Sequence, residues 1–348
     1  MARRAPGSAA GRGSISRQPT LVDVAQASGV SRQTVSNAIN APQRLDPVTL
    51  ARVRDAIDRL GYTPNRTARS LRARSSRFIG YRIMPFDPVR SSPVTDQFLH
   101  ALAQAASREG YLILAFTPED EPDELETYAE LWRTGSVDGF VLSDVGHHDE
   151  RARLLLDLDV PFVAFGRTRL PRPHSWVDVD PIAGGRVAVE HLAKQGHRRV
   201  GFIGWEDNRL SEERLTGWRR GMVAAGLPRS KSHIMRVPPG VENGAAATAQ
   251  MLAVRQPPTA IVCFYDTFAA GCVAEAQRHG LKVGQDLAVI GFDDSPAASL
   301  VSPPLTTVGP PVEQIAKAMI SMLTARLAGD TKVRHQMFES RLVIRQSA

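Results

Sequence analysis

The chain has 348 residues, 43% of them hydrophobic and 23% charged, a length that calls for two or three folding units and a balance typical of soluble globular proteins. Its two cysteines, Cys263 and Cys272, exclude a disulfide framework. The formal charge of +7 is unevenly spread: residues 1–77 hold fourteen arginines, no lysine and four aspartates, net +10, leaving −3 for the rest, so the N-terminal segment is the part suited to a polyanion.

Residues 1–18 are rich in Gly, Ala, Ser and Arg without apolar periodicity, and are expected to form a disordered basic tail. Arg3-Arg4 is followed by no apolar stretch and no run approaches a membrane span, so a cytoplasmic protein is expected. A first helix should begin at Thr20, where a hydroxyl at the N-cap and Asp23 three residues on can form a reciprocal capping pair. Leu21, Val24 and Ala25 give it one apolar face, and Gly29 suits a left-handed stop. Ser31 then caps a second helix, "VSRQTVSNAIN", held by Val30, Val35 and Ile39. Asp46-Pro47 starts a third, with a stripe of Val48, Ala51, Ile57 and Leu60 and a stop at Gly61. The second helix leaves Arg32, Gln33, Thr34, Ser36 and Asn37 on its free face. Solvated helix faces favour Lys and Glu. Short amides and hydroxyls are instead the groups that pair with base edges in a major groove, while Ser31 and the exposed N–H groups at the helix start suit a phosphate.

The segments "TLVDVAQASGVSRQTVSNAIN" and "RLGYTPNRTARSL" resemble the DNA-binding and hinge region of the LacI/GalR family of bacterial transcription regulators. The resemblance implies a recognition helix with Arg32 and Gln33 at its main base-reading positions, and Asn37 where many members carry arginine. It implies a DNA-contacting set of Thr20, Ser31, Arg32, Gln33, Thr34, Ser36, Asn37 and Asn40, continued in the hinge by Asn65, Arg66, Ala68, Arg69 and Leu71. Leu71 would be the wedge that opens a base step in the minor groove. A helix this short is unstable alone, so its folding on DNA is a state that a ligand can switch.

From Phe78 onward, short apolar strands alternate with helical stretches: 78–83, 111–114, 139–142 and 162–165, then 200–203, 233–236, 260–263 and 287–290. That order predicts two doubly wound parallel-sheet α/β halves, with a ligand cleft at the carboxyl ends of their strands. Enzyme motifs are missing: no Gly-rich phosphate loop with Lys-Ser/Thr, no H-E-x-x-H, no G-x-S-x-G, no dinucleotide fingerprint. His147-His148 has no partner at metal-ligand spacing, so neither a metal nor a cofactor is expected.

"HLAKQGHRRVGFIG", "ERLTGWRRGM", "VIGFDDSPAASLVSPPLTTV" and "ESRLVIRQS" resemble the same family's effector-binding core, whose fold is that of periplasmic sugar-binding proteins. The resemblance implies that Arg214, before "GW", and Asp293, after "GF", contact ligand, and both suit a polyol, one donating N–H groups and the other accepting from hydroxyls. Phe98 and Trp205 are further candidates as ring faces, with Arg167 at a strand end. Tyr265-Asp266 stands where the family usually has Asn-Asp, so both are expected among the effector contacts, with an aromatic in place of a sugar-binding amide. The expected organisation is a tail (1–18), a helix-turn-helix DNA-binding domain (19–64), a hinge (65–77) and a periplasmic-binding-protein-like core (78–348). Its N-subdomain would comprise about 78–180 plus 309–330, and its C-subdomain about 181–308 plus 331–345. The expected function is a nucleoid-associated, homodimeric repressor of near-palindromic operator DNA, released by a small-molecule effector, by family habit a carbohydrate. A sugar-binding protein without DNA function and a two-domain enzyme are the alternatives, marked respectively by no operator binding and by ligand turnover.

Overall fold

The computed structural model describes residues 19–62, 75–84, 94–118, 121–206 and 208–348. The chain divides into two compact units, one ending at Ser76 and one starting at Arg77.

The first unit is three helices, α1 (Leu21–Ser28), α2 (Arg32–Asn40) and α3 (Pro47–Leu60). Each starts where a side chain can take an unpaired backbone N–H. Thr20 and Asp23 form the reciprocal capping box, Ser31 accepts from the Thr34 N–H, and Asp46 accepts from the Thr49 N–H at 2.9 Å. Gly29 and Gly61 close α1 and α3 in the left-handed conformation, at φ 64° and 63°. Val24, Ala25, Val35, Ala38, Val53, Ala56 and Tyr62 form the core of the unit.

Two expectations are corrected here. Val48 is 76% exposed, Ala51 is exposed as well, and α3 instead packs through Leu50, Val53, Ala56, Ile57 and Leu60. At about 100° per residue these five share a sector, while Val48 and Ala51 fall on the far side. Ser36 does not lie on the free face of α2: it is 7% exposed, and the Asn40 amide turns back to its carbonyl at 2.9 Å.

The second unit contains two six-stranded sheets. The first runs in the order β11-β5-β4-β3-β1-β2, from β1 (Phe78–Arg82), β2 (Leu112–Phe116), β3 (Gly139–Leu142), β4 (Phe162–Phe165), β5 (Ser175–Val179) and β11 (His335–Phe338), all parallel. The second runs β12-β10-β9-β8-β6-β7, from β6 (Val200–Trp205), β7 (Ile234–Val237), β8 (Ala260–Cys263), β9 (Ala288–Phe292), β10 (Thr306–Gly309) and β12 (Arg341–Val343), with only β12 antiparallel. Helices α4 (Val94–Arg108) and α11 (Val312–Leu327) bury apolar faces on one side of the first sheet, and α5 (Glu121–Arg133) and α6 (Glu150–Asp157) lie together on the other. In the second half, α7 (Pro181–Lys194) pairs with α8 (Arg209–Ala224), and α9 (Val241–Leu252) with α10 (Asp266–Arg278).

The chain therefore passes between the halves three times, after β5, after β10 and between β11 and β12. The segment 331–339, expected in the second half, completes the edge of the first sheet instead. His335 stacks on Trp176 with ring centroids 4.6 Å apart, and the Arg334 N–H donates to Ser175 Oγ at 3.1 Å. An unpaired strand edge offers a row of free N–H and C=O groups, and β11 covers it.

Candidate functional site

On α2 the exposed polar side chains are sorted by hydrogen bonds among themselves. Ser31 Oγ lies 2.9 Å from Thr34 Oγ1, Gln33 Nε2 donates to Asn37 Oδ1 at 3.1 Å, and Asn40 bonds back to Ser36. Arg32 is exposed and has no hydrogen-bond or ion-pair partner among the described residues. Thr20 is committed to capping α1, its hydroxyl 2.7 Å from Asp23 Oδ2. The expected hinge contacts, Asn65, Arg66, Ala68, Arg69 and Leu71, lie outside the described residues.

In the second unit, the carboxyl ends of the strands gather most of the other candidates. Arg214, on α8, is 8% exposed and donates through Nη2 to Asp293 Oδ1 at 2.9 Å and through Nη1 to the Phe264 carbonyl. Its guanidinium carbon stands over the rings of Phe292, Phe264 and Tyr265, at 4.2, 4.8 and 5.4 Å, within cation–π range. Three rings and a carboxylate thus fix its plane, while its buried Nε has no hydrogen-bond partner among the described residues. Asp293 follows β9 at φ 93° and Asp294 at φ 49°, a left-handed turn that brings two carboxylates to the strand end. Trp205 ends β6, half-buried, its ring 6.3 Å from that of Tyr265.

The first half contributes the facing wall. Gln97 on α4 donates to the Asp294 carbonyl at 3.3 Å, directly bridging the two halves. Burial raises the Tyr265 phenol above its ordinary range; the negative charges of Asp293 and, from the end of β3, Asp144 add to this, against Arg214. Asp144 is exposed at φ 53°, and its carbonyl and that of Ser143 accept from Arg151 Nη2, both at 3.1 Å. Arg151 is itself buried between Asp149 and Glu124, so an internal ion cluster braces this rim of the cleft. Arg167 lies two residues beyond β4 and pairs with Asp178 at 2.7 Å.

Two expected ligand contacts take other roles. Phe98 is 4% exposed and stacks on Phe165 at 5.2 Å, so it backs the cleft from the core of the first half and presents no open ring face. Asp266 is 4% exposed with both oxygens engaged: Oδ1 accepts from Thr307 Oγ1 at 2.6 Å and Oδ2 from the Ser295 N–H at 2.7 Å. It ties the Asp293–Ser295 turn to β10. Gly291 is required beside it, because a Cβ there would stand 2.2 Å from Asp266 Oδ1.

Burial lifts the Asp266 carboxyl from the usual carboxylate range to about 6, against the opposing hydrogen bonds from Thr307 and Ser295 and with the Asp293 charge adding. Between about pH 4 and 6 the folded chain then holds a proton that the unfolded chain has released. Stability should fall as pH rises through that window and level off above it. Thermal unfolding from pH 4 to 8 should lose this component of the slope in Asp266→Asn; an unchanged slope would contradict the assignment.

Several cleft residues escaped the sequence reading. Asp294 carried a signal, standing beside Asp293 in "FDDSP". Arg345 carried none, yet its Nη2 binds Asp294 Oδ1 at 2.7 Å, across 51 residues.

A helix-turn-helix unit joined to a two-sheet body with a polar cleft at its strand ends narrows the possibilities, and comparison with known proteins decides between them. Residues 20–65 match the bacterial regulatory proteins, lacI family, and residues 189–348 match the periplasmic binding protein-like domain. The HTH-type transcriptional regulator CelR of Thermobifida fusca is 31% identical over 338 residues, covering 95% of this chain and 98% of CelR. The chain belongs to the LacI family of bacterial transcriptional regulators. Solved LacI-family structures share its fold. A regulatory protein of the family from Chloroflexus aggregans, 37% identical, superposes with a TM-score of 0.73 over 78% of this chain and 98% of its own. A CelR–cellobiose complex, 29% identical, does so with a TM-score of 0.70 over 95% of this chain and all of its own. This LacI-family chain is thus a DNA-binding transcriptional regulator and not an enzyme. No helix among its described residues is long and apolar enough to cross a membrane.

Proposed function

We propose that the regulator is a homodimeric repressor whose grip on a near-palindromic operator is released by a carbohydrate bound between its two α/β halves. The observation that carries the effector reading is Arg214, clamped by Phe292, Phe264, Tyr265 and Asp293 at the strand ends. A fixed guanidinium donor beside a carboxylate acceptor matches adjacent hydroxyls, and the Trp205 and Tyr265 rings suit the apolar face of a sugar. The structure of the relative CelR with cellobiose supports the same ligand class. In this reading residues 19–64 bind DNA, with Arg32 and Gln33 reading bases, and 65–77 form the hinge. The effector favours whichever arrangement of the halves binds it better, and release follows if that arrangement suits DNA less.

Selection of bound sequences from random duplex DNA should return a near-palindrome, and cellobiose or a related mono- or disaccharide should lower affinity for it at least about tenfold, a coupling typical of allosteric pairs. Arg32→Ala should relax base preference at one symmetric step by about 1–3 kcal/mol. The operator reading fails if no sequence is enriched, and the release reading fails if the sugar that binds strengthens the complex.

A further inference from the structure

The hydrogen bond from Gln33 Nε2 to Asn37 Oδ1, 3.1 Å long, joins two side chains one turn apart on the outer face of α2. We propose that Asn37 is a positioning residue that makes Gln33 selective for adenine over guanine, an inference that rests on α2 being the base-reading helix. A glutamine amide has two N–H donors and one acceptor oxygen. Free to rotate, it can meet guanine by pointing both hydrogens at N7 and O6, or adenine by giving one to N7 and taking one from the N6 amino group. With one Nε2 hydrogen committed to Asn37, a single donor and the Oε1 acceptor remain. That pair complements adenine N7 and N6, and lacks the second donor that guanine requires.

The rest of α2 fits this division of roles. Ser36 is buried, and Asn40 is turned back on it, so neither competes for the Gln33 amide. Ser31 and Thr34 pair with each other at the helix start. The side-chain bond contributes little in open water, since exposed Gln–Asn pairs of this spacing are weak. Inside a DNA groove its loss would leave a polar group without a partner, and there it sets orientation. Asn37 keeps both Nδ2 hydrogens for a phosphate or a neighbouring acceptor.

The test uses the full-length chain and the consensus it selects. Gln33→Ala identifies the step that Gln33 reads. At that step the wild type should prefer adenine to guanine about tenfold or more, and Asn37→Ala should bring the ratio within about threefold while leaving the step read by Arg32 unchanged. Asn37→Asp keeps the acceptor oxygen, so it should retain the ratio while weakening every sequence alike through repulsion from phosphates. Replacing that adenine by 7-deazaadenine, which lacks the N7 acceptor, should weaken the wild type and Asn37→Ala alike, since both donate to N7, and leave Gln33→Ala nearly unaffected. An unaltered ratio in Asn37→Ala, or a change of preference at another step instead, would overturn the proposal. Failure of the wild type to enrich any sequence would overturn the base-reading role beneath it as well.

Discussion

Replacing Arg214 by methionine should lower stability by about 3–5 kcal/mol and abolish any response of the operator complex to effector. The stability loss follows from what is left behind. Asp293 is 7% exposed, and without the guanidinium its charge is buried with its main counter-ion removed. The Phe264 carbonyl loses a donor at the same time. The double variant Arg214→Met/Asp293→Asn separates the two effects. Neutral groups of similar volume often replace a buried ion pair at little cost, so stability should largely return. The effector response should not, because the donor and the carboxylate are both gone. Thermal unfolding and operator titration with and without sugar measure the two outcomes. A single variant as stable as the parent would show that the pair is solvated, and a double variant that still responds would remove Arg214 and Asp293 from the ligand site.

Gly217→Ala should be nearly as damaging, although Gly217 touches no ligand candidate. Helices α7 and α8 meet backbone to backbone, with a Cβ on Gly217 falling 2.1 Å from the Ile182 carbonyl oxygen and one on Gly185 falling 2.2 Å from that of Arg214. Neither obstacle is a flexible side-chain tip, so the helices must part. Forced expansion of a packed core typically costs about 1–3 kcal/mol and sometimes more. Here it also displaces α8, which carries Arg214, and disturbs Trp218, a fully buried ring beside Phe202. Thr216→Ala on the same helix, half-buried, should change stability by no more than about 0.5 kcal/mol and serves as the control. Equal unfolding midpoints for the two variants would contradict the close helix contact. The same contact explains the glycine in "ERLTGWRRGM" physically: only a residue without a side chain fits where two helix backbones touch.

What could be read without the fold was local. The capping of α1 by Thr20 and Asp23, the starts at Ser31 and Asp46-Pro47, and the left-handed stops at Gly29 and Gly61 depend on groups within four residues of one another. The alternation of apolar strands with helices was equally legible, because each strand core is a short continuous run. Strands β5, β10, β11 and β12 were not. Strand β11, with three of its four residues exposed, has no apolar run to announce it, and it exists because it completes the edge beside β5. The face of α3 was misread for a related reason: a helix whose apolar residues surround more than one sector does not say which sector meets a neighbour. The cleft depended most on tertiary structure. Arg214 and Asp293 stand 79 residues apart, and Arg345 and Asp294 51 apart. Sequence determined which residue types were available to bind DNA and a polyol. Only the folded chain decided that Asp266 would brace a turn, that Phe98 would back the cleft, and that Asn37 would hold Gln33, because each role is set by which group lies nearest in space.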